Sequence, residues 1–310
     1  MPRTAFTTNI DARKFAQQVI WDSKSELIAC SKAAYLCPEV GFSEYKTSRL
    51  INNLLNGLGL KVEKGLAKTG MKTVIEFDNA GPRVAVLCEL DAIRVPSHPG
   101  ADKNTGAAHA CGHHAQIGTL LGVAKALMKE EIRSFLHGSV ALIGTPAEEF
   151  VDISQRLELK RSGQISFLSG KQEMIKTGVF DDIDLAMLVH TSSGNGTASL
   201  HIGGTSNAHI AHHVKFVGRS AHAGGSPEKG VNALQAAMLA INAINTQRET
   251  LQEEDVARIH GIIVKGGNAV SAIPDEVIYE GRVRSVDMDR LKQINDQVLR
   301  CYRAGALGIG

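Results

Sequence analysis

Residues 83–90 read RVAVLCEL, and Asp91 follows them. A strand with one face in water alternates apolar and polar residues, whereas a strand covered on both faces reads as a nearly continuous apolar run. The stretch therefore predicts a strand inside a layered sheet, with a carboxylate at its carboxyl end. Two similar runs follow, GSVALIG (138–144) and DLAMLV (184–189), and both read as further buried strands. Between the first two, HAQIGTLLGVAKALMKE aligns Ile117, Leu120, Leu121, Ala124 and Met128 along one side of a helix. Upstream, residues near 10–36 read as one helix and SEYKTSRLINNLLNGLGL as another. In the second, Ser43 is placed to cap, Leu50, Ile51, Leu54 and Leu55 share a face, and Gly57 and Gly59 close it. Strands and helices alternating over some two hundred residues imply an α/β class with a mainly parallel sheet.

Past residue 200 the pattern changes. AHHVKFVG, the helical GVNALQAAMLAINAINTQRE, then ARIHGIIVKGG, EVIYEGRVRS and the helical DMDRLKQINDQVLRCYRAG give the order β-α-β-β-α. This is a ferredoxin-like split βαβ unit without its last strand. The polar stretch GGTSN marks a boundary near residue 205, which divides the chain into 1–204 and 205–310.

Composition narrows the function. The chain has 310 residues, 43% hydrophobic and 21% charged, an ordinary globular balance for one large and one smaller domain. Its 34 basic and 32 acidic residues are intermixed, so no basic block argues for nucleic acid. No apolar run approaches the length of a membrane span, and the start has no signal-peptide core. Five scattered cysteines, an odd number in a long chain, argue against a disulfide framework and fit a reducing cytoplasm.

Metal-ligand chemistry gathers at three places. Cys111-Gly112-His113 lies in a loop just before a helix, Glu148 and Glu149 follow the second strand, and His190 ends the third. Asp91 ends the first. Ligands of open α/β sheets bind outside the carboxyl ends of the strands. Taken singly, each residue has a plainer reading: an inert thiol, a solvated glutamate pair, a core histidine, a turn-capping aspartate. Their joint placement at strand ends favours one site. Cysteine, histidine and carboxylate suit Zn²⁺, and mixed sites accept Mn²⁺ or Co²⁺. Adjacent glutamates diverge, so one can bind metal while the other reaches the water it activates.

The motifs CELDAIRVP, AAHACGHHAQIGTLLGVAKAL, GTPAEE, LVH and FVGRSAHAGGSPEKGVNAL stand in this order along the chain. Together they resemble the aminoacylase and carboxypeptidase-G type of metal-dependent amidohydrolases, peptidase family M twenty. The nearest branch is that of auxin-conjugate and aminobenzoyl-glutamate hydrolases. The likeness runs from CPEVGFSEY to EGRVRS. It implies a catalytic α/β domain with an inserted ferredoxin-like lid and dimerisation domain at 205–310. It further implies two divalent metal ions, Zn or Mn, held by Cys111, His113, Glu149 and His190, with Cys111 bridging. Glu148 would be the general base and acid, and Asp91 would support the ligands. His222 and Asn268 would reach substrate, commonly from the partner subunit of a homodimer. The implied reaction is hydrolysis of an amide bond in an N-acyl amino acid, a small peptide or a related conjugate.

Two departures stand out. His114 and Gln116 occupy positions where the branch usually has aspartate and histidine. The family also closes its catalytic domain with a segment after the lid, which supplies the last histidine ligand. The expectation is thus a 310-residue part of a longer hydrolase, with one metal position short of a ligand. Two other functions remain open at this point. One is a binding or assembly protein that keeps the fold without the full ligand set. The other is a thiol hydrolase using Cys111 with His113 or His114. His109 is expected to support the loop rather than bind metal, and RLELKRSGQISFLSGKQE (156–173) to be a solvated border of the cleft.

Overall fold

The computed structural model describes residues 8–192, 200–203 and 206–310. The chain divides into two compact units, Met1–Asn195 and Gly196–Gly310. The boundary expected at 204/205, in GGTSN, falls partly outside the described residues.

The first unit begins with three helices, α1 (Asn9–Asp22), α2 (Lys24–Tyr35) and α3 (Tyr45–Gly57). The helix expected over 10–36 is therefore two. Ser23 breaks it: its N–H closes α1 on the Val19 and Ile20 carbonyls, and its own carbonyl accepts from Glu26 and Leu27 to start α2. Ser43 is not the cap of α3. That helix starts one residue later, and the carboxylate of Glu39 reaches forward to accept the N–H groups of Lys46 and Thr47 at 2.9 Å each. A negative charge suits the positive end of a helix.

There follow β1 (Glu63–Leu66), β2 (Gly70–Glu76), β3 (Asn79–Glu89), β4 (Ile93–Arg94), β5 (Ala107–Ala108), α4 (His113–Leu127), α5 (Glu130–Arg133), β6 (His137–Thr145), α6 (Ile153–Arg161), α7 (Gly170–Lys176) and β7 (Leu185–Leu188). Five strands form one sheet in the order β1-β2-β6-β3-β7. β3 pairs in parallel with β6 and β7, while β2 pairs antiparallel with both β6 and β1. The β1–β2 hairpin turns through Ala67 and Lys68, both at positive φ (45° and 78°). Primed hairpin turns require that backbone, usually with Asn or Gly. Without those residues the hairpin gave no turn signal in the sequence.

RVAVLCE lies in β3, an interior strand between β6 and β7. Val86, Cys88 and Leu90 pack with α2, α3 and α4, and Ala85 and Leu87 pack on the opposite face with Met174 and Val179. β6 divides the same way, Val140 and Leu142 to one side and Ala141 and Ile143 to the other. The stretch 184–189 differs from expectation. Among the described residues β7 is an edge strand paired only with β3, and Leu185 and Met187 are 60% and 56% exposed.

The second unit contains β8 (Ala208–Val217), α8 (Ala233–Gln247), β9 (Arg258–Lys265), β10 (Glu276–Ser285) and α9 (Met288–Leu307). Its antiparallel sheet has the order β8-β10-β9, with the last strand in sequence at the centre. Val277, Tyr279 and Val283 of β10 pack with Ala237 and Ala240 of α8 and with Ile294, Val298 and Tyr302 of α9. The alanines let the helices meet closely: a Cβ on Gly305 would stand 2.4 Å from the Ala236 carbonyl oxygen. Asn232 and Asp287 cap α8 and α9 by accepting backbone N–H groups with their side chains.

Candidate metal centre

Parallel registration of β6, β3 and β7 brings their carboxyl ends level. Glu89 pairs with Thr145, and Leu87 with Leu188. Chain leaving β3 passes through Asp91, chain leaving β6 through Glu148 and Glu149, and chain leaving β7 through His190. The Cys111 loop enters α4 beside them.

Gly112 makes that entry possible. It sits at φ +91°, and a Cβ on it would stand 2.1 Å from Thr191 Oγ1. Thr191 Oγ1 donates to the Cys111 carbonyl at 3.1 Å, tying the loop to the end of β7. Cys111 Sγ then lies 3.4 Å from His190 Nε2. The rings of His113 and His190 stand edge to face at 5.6 Å. Cys111, His113 and His190 offer three ligand atoms within 4.8 Å of one another, and Glu89, His113 and Glu148 form a second such group.

Both histidines are oriented through Nδ1. His113 Nδ1 is 2.8 Å from the Asp91 carbonyl oxygen, and His190 Nδ1 is 2.7 Å from that of Thr191. A carbonyl only accepts, so each Nδ1 carries a proton and each Nε2 is left for a ligand, the usual arrangement of a metal-binding histidine. Asp91, fully buried, also takes the Glu149 N–H on Oδ2 at 2.8 Å. One aspartate thereby fixes both a histidine and the glutamate loop.

That loop is braced from beneath. Ala147 holds φ +50°, an uncommon conformation for a residue with a Cβ. Glu44, wholly buried, accepts the Ala147 N–H at 2.7 Å and the Thr69 hydroxyl at 2.6 Å. Burial, with Asp91 nearby, pushes its carboxyl up to about 7. Arg156, also buried, donates to the carbonyls of Leu168, Ala147 and Glu149, and its guanidinium lies over Phe42 and Phe150. Arg156 begins the stretch expected to be solvated, and Lys171 within that stretch reaches Glu89. The solvated reading of 156–173 therefore fails at these two residues, whose charges meet buried partners.

The electrostatics are those of a site built around positive charge. Burial pushes the Cys111 thiol up, and Glu149, Glu148 and Glu89 add to it, to about 12. Burial lifts the Glu148 carboxyl, with Glu89 and Glu149 adding to the rise. Burial opposes the charge on His113, yet Asp91 and Glu89 carry it to about 10. Carboxylates crowd a thiol and two imidazoles, and Asp91 Oδ1 and His113 Nε2 are buried without hydrogen-bond partners among the described residues. Buried polar atoms are nearly always satisfied. Thiolate, imidazole and carboxylate donors around orphaned atoms fit a divalent transition metal. The same surroundings disfavour Cys111 as a nucleophile, because reactive thiols sit in electropositive settings.

Four of the residues singled out in sequence thus converge here: Cys111, His113, Glu148 and His190, with Asp91 behind them. Glu149 joins through its backbone and beside Cys111. His109 is buried with its ring 5.6 Å from that of His114, and neither of its nitrogens has a hydrogen-bond partner among the described residues. It fills the loop rather than bonding it together. His222 and Asn268 lie in the second unit. There His222 Nδ1 accepts the N–H groups of Gly224 and Gly225 at 3.1 and 2.9 Å, which leaves the ring proton on Nε2. Hydrogen bonds from Ala223 to Ser271 and from Ile273 to Ala221 lay its loop beside the one that carries Asn268. Glu44, Glu89, Arg156 and Lys171 were missed. For Glu89 the signal was there: a carboxylate interrupts an apolar strand two residues before Asp91.

Comparison with known proteins bears on this arrangement. Residues 205–307 match the model of the peptidase dimerisation domain. N-acetyl-L-cysteine deacetylase of Bacillus subtilis is 28% identical over 88% of this chain and 62% of its own length. Xaa-Arg dipeptidase of Mus musculus is 28% identical over 96% of this chain and 64% of its own. The chain therefore spans somewhat less than two thirds of these relatives. A dinuclear metal-binding peptidase of the M20 family from Bacillus subtilis shares the fold, with a TM-score of 0.61 at 22% identity over 92% of this chain and 71% of that one.

Proposed function

We propose that the chain, whose residues 205–307 match the model of the peptidase dimerisation domain, is a metal-dependent hydrolase of amide bonds. Its substrates are N-acyl amino acids, small peptides or related conjugates. The observation that carries the proposal is the convergence of Cys111, His113 and His190 at the carboxyl ends of parallel strands, with Glu148 at the same place. The relatives named above supply the substrate class.

Cys111, His113, Glu149 and His190 would hold two divalent ions, Zn or Mn, with Asp91 aligning His113 and the Glu149 backbone. Bound metal supplies Lewis acidity, which makes water nucleophilic near neutral pH and polarises a carbonyl. Glu148 holds the proton. Its carboxylate accepts it from the attacking water and returns it to the leaving amine, and a carboxyl raised by burial suits both transfers. His222, whose Nε2 carries the ring proton, and Asn268 would contact substrate, as the resemblance implies. The second unit would join two copies as a homodimer.

Glu148→Gln tests the assignment. The variant should keep its metal and lose turnover on a panel of N-acyl amino acids and dipeptides. Turnover retained in that variant contradicts the role given to Glu148.

A further inference from the structure

We propose that Glu89 is a metal-directed donor at the position His113 serves, held there by Gln116 and Lys171. The inference rests on the metal-centre reading above and adds a ligand to it.

Glu89 ends β3 and is 2% exposed. A carboxylate so buried is tolerated only when its oxygens are matched. Gln116, in the first turns of α4, grips the residue twice: its Oε1 accepts the Glu89 N–H at 2.8 Å, and its Nε2 donates to Glu89 Oε2 at 2.9 Å. The backbone donor fixes which way the Gln116 amide faces. Lys171, from α7, takes Oε1. The carboxylate is therefore clamped at both oxygens.

Clamped this way, Oε2 lies 3.0 Å from His113 Nε2 and 3.9 Å from His190 Nε2. Without metal this contact with His113 is an ion pair with the protonated ring. A histidine that binds metal gives up that proton, and Glu89 Oε2 then stands beside the two Nε2 atoms with its lone pairs, the three close enough to share one cation. Glu148 offers a further oxygen to the same group.

The residue at 116 fits this role. Its amide accepts the Glu89 N–H and donates to the Glu89 carboxylate at once, and, being neutral, it leaves the negative charge on Glu89. Gln116 and Glu89 thus form one device.

The test is metal affinity of the full chain, by competition of Zn²⁺ against a chromophoric chelator and by the absorption spectrum of the Co²⁺ form. Glu89→Gln, nearly the same shape without the charge, should bind Zn²⁺ weaker by on the order of 10–100-fold or more. It should change the cobalt d–d bands while keeping the thiolate charge-transfer band from Cys111. Should Glu89→Gln fail to fold, Glu89→Asp keeps the charge but withdraws it by one methylene, and the same loss is expected. A folded variant with the affinity and d–d bands of the unaltered chain overturns the assignment of Glu89 and leaves the Cys111 centre standing. An unaltered chain with no thiolate-to-cobalt band overturns the metal centre itself.

Discussion

Asp91 meets His113 through its backbone: the carbonyl oxygen of the aspartate lies 2.8 Å from Nδ1 of the imidazole. The side chain of the same aspartate accepts the Glu149 N–H from the next strand end, with its other oxygen 3.5 Å from His113 Nδ1. Replacing Asp91 by asparagine brings an amide N–H₂ against either the protonated Nδ1 or the Glu149 N–H. Two donors then face each other. Metal affinity in Asp91→Asn should fall by about 10–100-fold, as is usual when the partner of a ligating histidine is altered. Isothermal titration with Zn²⁺ measures it, and an unchanged affinity would mean that the backbone carbonyl alone orients the ring.

Gly112→Ala should be among the most damaging single-methyl changes in the first unit. The added Cβ would lie 2.1 Å from Thr191 Oγ1 at a φ of +91°. Left-handed strain in a residue with a Cβ costs on the order of 1–3 kcal/mol, and relief of the clash must move Thr191 or the Cys111 loop. Thermal unfolding should show the lower stability. The Co²⁺ thiolate band should weaken together with it, since Cys111 and His190 are set 3.4 Å apart by this contact.

How much of this was legible beforehand varies with the kind of signal. The buried strand 83–90 announced itself because both faces are covered, so its side chains did not need to alternate. Cys111, His113, Glu148 and His190 could be located because each follows a strand or opens a helix whose pattern was readable. The β1–β2 hairpin left no trace, since Ala67 and Lys68 carry the positive φ usually given to glycine or asparagine. Lys171 and Arg156 sat in a charged stretch where composition suggests solvent. Only three-dimensional packing shows that they meet Glu89 and the backbone of the glutamate loop. The exposed β7 has the composition of a covered strand, and edge position cannot be read from composition.

Glu44 should make stability fall as pH rises. Burial and Asp91 raise its carboxyl from the ordinary 4.5 to about 7 in the folded chain. Below about 4.5 both folded and unfolded chains are protonated there, so the contribution is fully present. Between about 4.5 and 7 the unfolded chain gives up the proton while the folded chain keeps it, so the contribution declines until pH passes 7. Glu44→Gln keeps an acceptor for the Ala147 N–H, and the Thr69 hydroxyl can turn to accept from the new amide. The variant should lose this slope and be the more stable form near pH 8. Urea unfolding of both proteins at pH 5 and pH 8 checks it; equal slopes would show that Glu44 is ionised throughout.

The most direct measurement is amide hydrolysis by the full chain after metal is stripped and then restored. Product amine released from a panel of N-acyl amino acids and dipeptides is followed with and without added Mn²⁺ or Zn²⁺. The expected result is no turnover in the stripped protein, turnover on restoring the metal, and loss again on adding chelator. Hydrolysis that persists without metal and ignores chelator would contradict a metal-activated reaction at Cys111, His113 and His190. So would a chain loaded with metal that cleaves none of these amides.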